Sequence, residues 1–186
     1  NYSGRSRHLG LFVTLGVSLQ VLFFSIMSLL ALFAVDHFSL SVEVAAGLLS
    51  LYHFTGLWAG TLGGYLSDRL GKVPVMLMVG LIAGPIIYLL GLVSFIWAIV
   101  IILLVMGMFQ YISMPISEAY IISHTSQHNR SLVLGIYYSA SRGGPGIIVP
   151  IIGYLFGRFG FGAGFTITGA TLFIIALGCS LFLWRN

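Results

Sequence analysis

Apolar residues fill this chain in long runs, and polar residues gather in short gaps between them. Six runs approach the ~20 residues that a membrane-spanning helix needs: 9–35, 43–66, 73–93, 98–122, 131–156 and 162–184. The gaps are short, so neighbouring helices are expected to run antiparallel. The pattern predicts an all-α membrane protein of six transmembrane helices, a domain over 9–186 preceded by a cytoplasmic linker at 1–8.

Composition sharpens this reading. The 186 residues are 59% hydrophobic and only 6% charged, with mean hydropathy +1.07, whereas a soluble domain is about 25% charged. The lipid bilayer is the expected surroundings. The net charge of +4 does not point to nucleic acid, because the basic residues stand mostly singly at the ends of apolar runs. Arg5, Arg7, Arg69, Lys72, Arg130 and Arg185 fall on one side, Arg158 on the other, and Arg142 inside a run. Lys and Arg concentrate on the cytoplasmic side of membrane proteins. Both termini are therefore expected in the cytoplasm of a cell or inner membrane, with Asp36, His37 and Glu43 outside. The single cysteine, Cys179, excludes a disulfide framework or cysteine metal site within the chain. No metal and no cofactor is predicted. The chain opens without Met and without a signal-peptide pattern.

One gap stands out. Gly64-Tyr65-Leu66-Ser67-Asp68-Arg69-Leu70-Gly71-Lys72 places three charges in what reads as a tight turn. Gly64 is expected to let helices pack closely, and Gly71 to take a backbone conformation that side chains resist. A similar string recurs 89 residues later: Gly153-Tyr154-Leu155-Phe156-Gly157-Arg158-Phe159-Gly160 matches Gly64–Gly71 at five of eight positions. Three runs separate the copies, so they are expected at opposite membrane faces. Gly157 stands in the second copy where Asp68 stands in the first.

The 64–72 stretch resembles the signature loop between the second and third helices of each half of a major facilitator superfamily transporter. That pattern is Gly, three residues, Asp, Arg or Lys, one residue, Gly, then one or two basic residues. Gly64, Asp68, Arg69, Gly71 and Lys72 match it, while Val73 and Pro74 stand where a second basic residue is common. The resemblance implies two inverted three-helix repeats, 9–93 and 98–184, within one six-helix half. It implies a secondary active transporter that moves a small organic solute by alternating access, coupled to protons or sodium or facilitative, with the other six-helix half as partner. It implies that Asp68 holds the cytoplasmic side shut against a helix N-terminus of that half. The polar, basic, Met-less start resembles the linker between halves, so the C-terminal half is expected. The fifth run, with Gly143, Gly144, Pro145, Gly146 and Pro150, resembles the Gly/Pro-rich fifth helix whose bending accompanies alternating access. A kink is expected there.

Polar side chains at bilayer depth are costly and are functional candidates by default. At ~1.5 Å of rise per residue, His53 and Arg142 lie ~15 Å inside their runs, with Gln20 and Gln110 at similar depth and Glu118 nearer the cytoplasmic end. These five occupy the first, second, fourth and fifth runs, and the third and sixth have no acidic, basic or amide side chain. The family's cavity-lining helices divide in the same way. His53 can be a ligand or proton carrier, or a packing histidine. Arg142 cannot shed its charge, so it needs water, a carboxylate or a substrate anion; it is expected in the central cavity near His53 and Gln110. Glu118 can pair with Arg69 or Lys72 as a lock, or exchange protons. Gln20 and Gln110 can simply bond between helices. His124 and His128 read as solvated loop residues. Tyr52, Phe54, Tyr111, Tyr137 and Tyr138 favour an organic solute over an inorganic ion.

Two other classes compete. An intramembrane protease would need Gly-x-Ser-Gly or His-Glu-x-x-His, and neither is present, so no enzyme is expected. A six-span channel or self-assembling carrier would want a filter string or an Asn-Pro-Ala half-helix, also absent.

Overall fold

The computed structural model describes the backbone of residues 2–183 and the side chains of residues 8–183. The expectations resting on the side chains of Arg5, Arg7 and Arg185, and on Trp184, lie outside the described residues. The described residues form helices joined by short connections, without strands: α1 (Tyr2–Phe38), α2 (Val42–Phe54), α3 (Gly56–Leu70), α4 (Lys72–Leu90), α5 (Ile96–His124) and α6 (Arg130–Leu183). α1 already begins at Tyr2, so the expected linker is helical from there. Among the described residues, four stretches are long and apolar enough to cross a membrane: His8–Phe38, Lys72–Leu90, Ile96–His124 and Arg130–Leu183.

These elements divide the sequence differently from the six apolar runs. The second run holds two helices of 13 and 15 residues. Thr55 separates them while keeping helical backbone angles (φ −61°, ψ −23°). Its hydroxyl donates to the Tyr52 carbonyl at 2.7 Å, a local bond that competes with the regular ladder. Ala59 N–H still reaches the Thr55 carbonyl at 2.9 Å, so α2 leads directly into α3.

The fifth and sixth runs fall within the 54 residues of α6. A straight helix of that length would extend ~80 Å, against a hydrocarbon core of about 30 Å. It is not straight. Gly160 leaves helical geometry (φ 83°, ψ 166°), and packing on α1 shows that the chain turns back there. On the outgoing leg, 130–159, Gly144 lies against Val21 and Gly153 against Leu29, which is parallel to α1. On the return leg, 161–183, Phe33 meets Phe161 and Phe165 with ring centroids 5.0 Å apart. Further on, Cys179 Sγ donates to the Leu11 carbonyl at 3.7 Å. The return leg is therefore antiparallel to α1.

The same reasoning orders the rest. Phe12 stacks on Tyr120 at 3.8 Å and Gly16 lies against Ser117, so α5 is antiparallel to α1. Gly107 abuts Tyr52 and Thr55, and Gly63 abuts Ile112, so α2 and α3 run with α5. α4 runs against α5, from Lys72 Nζ donating to the Ala119 carbonyl at 3.4 Å to Met76 beside Ser117. It also packs against the return leg, through Gly80 on Ala176, Gly84 on Gly169 and Gly91 on Gly162. α1 forms the middle of the bundle, with Phe12, Leu15, Leu19, Phe23, Ile26 and Leu30 buried.

The turn expected over 64–72 is almost entirely helix. α3 continues through Leu70, Gly71 alone leaves it (φ 90°, ψ 152°), and α4 opens at Lys72. Gly71 has the backbone expected of it, but Gly64 is not the close-packing glycine. A Cβ at Gly64 would meet nothing within 4 Å, whereas one at Gly63 would come within 2.9 Å of Ile112 Cα. The backbone is helical through Gly144, Pro145, Gly146 and Pro150, and the departure within α6 lies at Gly160. Gly71 and Gly160 are the glycines of positive φ among the described residues, and they too stand 89 positions apart.

Candidate functional site

The polar candidates meet at the middle of the bundle. On α1, Gln20 lies ~12 Å beyond the level of Phe12 and ~20 Å short of Phe33. Here Gln110 Nε2 on α5 donates to Gln20 Oε1, and both side chains are buried. This is the interhelical bond that their sequence positions allowed. It is incomplete: Gln20 Nε2 and Gln110 Oε1 are buried without partners. An unmet buried amide group costs about 1–3 kcal/mol, so the pair is not explained by stability alone.

One residue along α5, the Tyr111 hydroxyl and His53 Nδ1 share a hydrogen bond at 2.9 Å. His53 is exposed and sits two residues before Thr55, where α2 hands over to α3. Its ring lies edge-on to Tyr52 at 5.2 Å. The Tyr52 hydroxyl is buried without a hydrogen-bond partner.

On the other flank of α1, the Arg142 guanidinium lies over the Phe24 ring at 5.1 Å, and Arg142 is exposed on the outgoing leg. A cation on an aromatic face gains about 0.5–2 kcal/mol, more as water is excluded. Arg142 and His53 therefore share a level but not a contact: one leans on α1, the other on α5. Half-buried Glu118 on α5 lies beside the Tyr138 hydroxyl, and Arg142 is near enough to act on the same hydroxyl. On the same leg, the hydroxyls of neighbouring Tyr137 and of Ser141, one turn on, are buried without a well-aligned hydrogen bond.

Glu118 is not locked to Lys72 or Arg69 in the expected way. Lys72 reaches the neighbouring Ala119 carbonyl, and Arg69 stacks on Tyr65 with 5.0 Å to the ring centroid. Asp68 is exposed at the end of α3. His124 is no solvated loop residue: it ends α5, half-buried and stacked on Tyr120 at 4.0 Å. His128 is exposed. Three partners escaped the sequence reading, namely Phe24 under Arg142, Tyr111 on His53 and Tyr138 at Glu118. The two tyrosines could be flagged only as aromatics, because their pairing depends on how α5 sits against α2 and α6. No group of three or more His, Cys, Asp or Glu able to hold a metal occurs among the described residues. A cleft of about 260 Å³ between α4 and the return leg, lined by Gly84, Pro85, Tyr88, Thr166, Gly169 and Phe173, is apolar and apart from this polar level.

The arrangement is a sheaf of apolar helices with a belt of polar groups at half height, two of them charged or chargeable and uncovered. Solved structures of transporters share the helical fold. The POT family transporter PepTSo, crystallised in meso, superposes with a TM-score of 0.80 at 18% identity, over 96% of this chain and 37% of its own. An auto-inhibited POT family peptide transporter gives a TM-score of 0.83 at 18% identity, over 97% of this chain and 38% of its own. The chain thus spans well under half the length of these neighbours. No curated protein sequence matches it. The sequence profile of the Major Facilitator Superfamily matches residues 11–186, almost the whole chain, and with it the chain belongs to that superfamily of integral membrane transporters.

Proposed function

We propose that this chain is one six-crossing half of a secondary transporter, which moves a small organic solute by alternating access together with a second half. The observation that carries the reading is the exposure of His53 and Arg142 at half height on apolar helices. A charged or chargeable group at that depth is tolerated when it faces a wet cavity or a partner protein. The alternating directions of α1, α2–α3, α4, α5 and the two legs of α6 support six crossings, and the short share of the neighbours' length supports a half. The matching local geometry at Gly71 and Gly160 supports two inverted repeats, 9–93 and 98–184. The cavity face comprises α1, α2, α5 and the outgoing leg. Arg142 meets an anionic group of the solute or an acid of the second half, and Glu118 with Tyr138 sets the opposite charge beside it. Imidazole changes charge in the physiological range, so His53, held by Tyr111, is the group placed to carry a coupling proton. Asp68 closes the face bearing the basic majority, which is cytoplasmic, and bending over Gly144, Pro145, Gly146 and Pro150 accompanies the exchange.

The test is accumulation in proteoliposomes containing the full-length protein. Small organic solutes are screened, short peptides among them because one neighbour is a peptide transporter. A solute driven above its equilibrium level by an imposed proton gradient supports the reading; movement only down gradients, at channel rates, rejects it. Cysteines introduced at Asp68 and His37, in a background lacking Cys179, should react with an impermeant reagent from opposite sides. Labelling of position 37 from the cytoplasm would reverse the orientation.

A further inference from the structure

We propose that the end of the outgoing leg is a second latch, on the face opposite Asp68, where Arg158 docks a carboxylate side chain of the other six-helix half. The inference rests on the half-transporter reading above. It begins from two ends built alike. Arg69 lies over the ring of Tyr65, four residues earlier, at 5.0 Å; Arg158 lies over the ring of Tyr154, also four residues earlier, at 5.9 Å. Each pair is followed, two residues after the arginine, by a glycine of positive φ that reverses the chain, Gly71 in one case and Gly160 in the other.

The two ends lie at opposite ends of the bundle. The first is beside Ala119, at the level where Phe12 stacks on Tyr120. The second precedes Phe161, which packs on Phe33 at the far end of α1.

Their difference names the partner. Beside Arg69 stands Asp68, whereas the corresponding position beside Arg158 is Gly157, exposed and with nothing within 4 Å of a Cβ. The first end thus presents an acid and a base, the second only a cation. Arg158 Nη1 donates to the Tyr154 hydroxyl at 2.5 Å, and the guanidinium also lies 5.7 Å from the Phe159 ring centroid. The side chain is therefore held in place before anything binds. One of its five N–H donors is engaged, and the remainder suit the two oxygens of a carboxylate. The acids at this end of the chain, Asp36 and Glu43, are exposed and make no ion pair with it among the described residues. The face below is also uncovered: Ile147, Ile151, Tyr154 and Phe159 are 70%, 51%, 59% and 58% exposed. A carboxylate from the second half at Arg158 closes this end of that face when the solute is open to the opposite side.

The experiment uses the full-length protein without Cys179, bearing one cysteine at Ile147 and labelled by an impermeant maleimide from the Arg158 side. Arg158→Gln should raise the labelling rate about fivefold or more, the range of a typical coupling between states. Arg158→Glu should raise it further, since a carboxylate would repel the partner, and Tyr154→Phe should raise it less. Parental rates in Arg158→Gln, or equal rates in the Gln and Glu variants, would overturn the latch. Cross-linking of a cysteine at Ile151 to the rest of the full-length chain separates the two levels. If the cross-link is absent, the half-transporter reading fails and the latch with it. If it forms while Arg158 has no effect, the latch alone is wrong.

Discussion

α4 and the return leg of α6 pack on each other, whereas α2–α3 and the outgoing leg do not touch, and the two pairs differ in what they expose. The first pair carries no charged residue over 73–90 or 161–183 and is joined backbone to backbone. A Cβ at Gly169 would come within 2.6 Å of the Gly84 carbonyl oxygen. Its outward side chains, such as Ile82, Ile174 and Leu181, suit hydrocarbon. The second pair also exposes large apolar side chains, such as Phe54, Leu57, Ile147 and Ile151, yet threads His53, Asp68, Arg142 and Arg158 through them. Hydropathy alone cannot tell these faces apart. The buried hydroxyls of Tyr52 and Tyr137, neither with a well-aligned hydrogen bond, sit on the second pair or where it meets α5, and no such group occurs on the first. One surface is uniformly apolar, and the other carries exposed polar groups.

Substitutions can break that contrast, and the largest effect is expected at Arg142. Arg142→Leu makes the outgoing leg resemble the return leg. Loss of a charged hydrogen bond costs about 1.5–3 kcal/mol, so transport should fall roughly ten- to hundredfold while insertion stays parental. Arg142→Lys should fall between, since it keeps charge but loses the planar fork. Normal uptake by the Leu variant would make Arg142 a packing residue. On the dry pair, Gly169→Leu should do the reverse. Overpacking costs about 1–3 kcal/mol, so thermal stability in detergent should drop, and transport per folded molecule should hold.

Smaller effects sharpen the picture. Tyr111→Phe removes one neutral hydrogen bond to His53, worth about 0.5–1.5 kcal/mol. Transport should fall severalfold, and unchanged transport would assign Tyr111 to packing. The smallest effect belongs to the amide pair. Gln20→Leu and Gln110→Leu together should be nearly neutral for stability, while their coupling in a double-mutant cycle should be about 0.6 kcal/mol, the average for interhelical bonds in a membrane. A clear loss of transport by the otherwise stable double variant would move the pair into the cavity machinery.

Much of this architecture was legible in residue order. The apolar runs, the Asp68 motif and the absence of charged and amide side chains from the third and sixth runs all follow from the cost of polar groups in hydrocarbon. What escaped was local. Thr55 splits a run that hydropathy reads as continuous, because its hydroxyl bond to Tyr52 carries no hydropathy signature. The turn at 64–72 looked like a loop because it is charged, although charges at a helix end need not leave the helix. At the site, depth along each helix could be counted from the sequence, but azimuth could not. His53, Arg142 and Glu118 were placed at workable heights, while Tyr111, Phe24 and Tyr138 emerged only once the helices were rotated against one another. The Tyr–Arg spacing of four, present in both copies of the repeat, was visible and could have been used.

The reversal at Gly160 also governs how this protein can be handled. A protease needs several extended residues in its cleft, and flexible loop tips are where cutting and insertions are tolerated. At Gly160 the helix resumes at once, so neither cleavage nor an inserted epitope has room there without unwinding a leg. The stretch 125–129 between α5 and α6, mostly exposed and not α-helical, is the place for a tag or an engineered cleavage site.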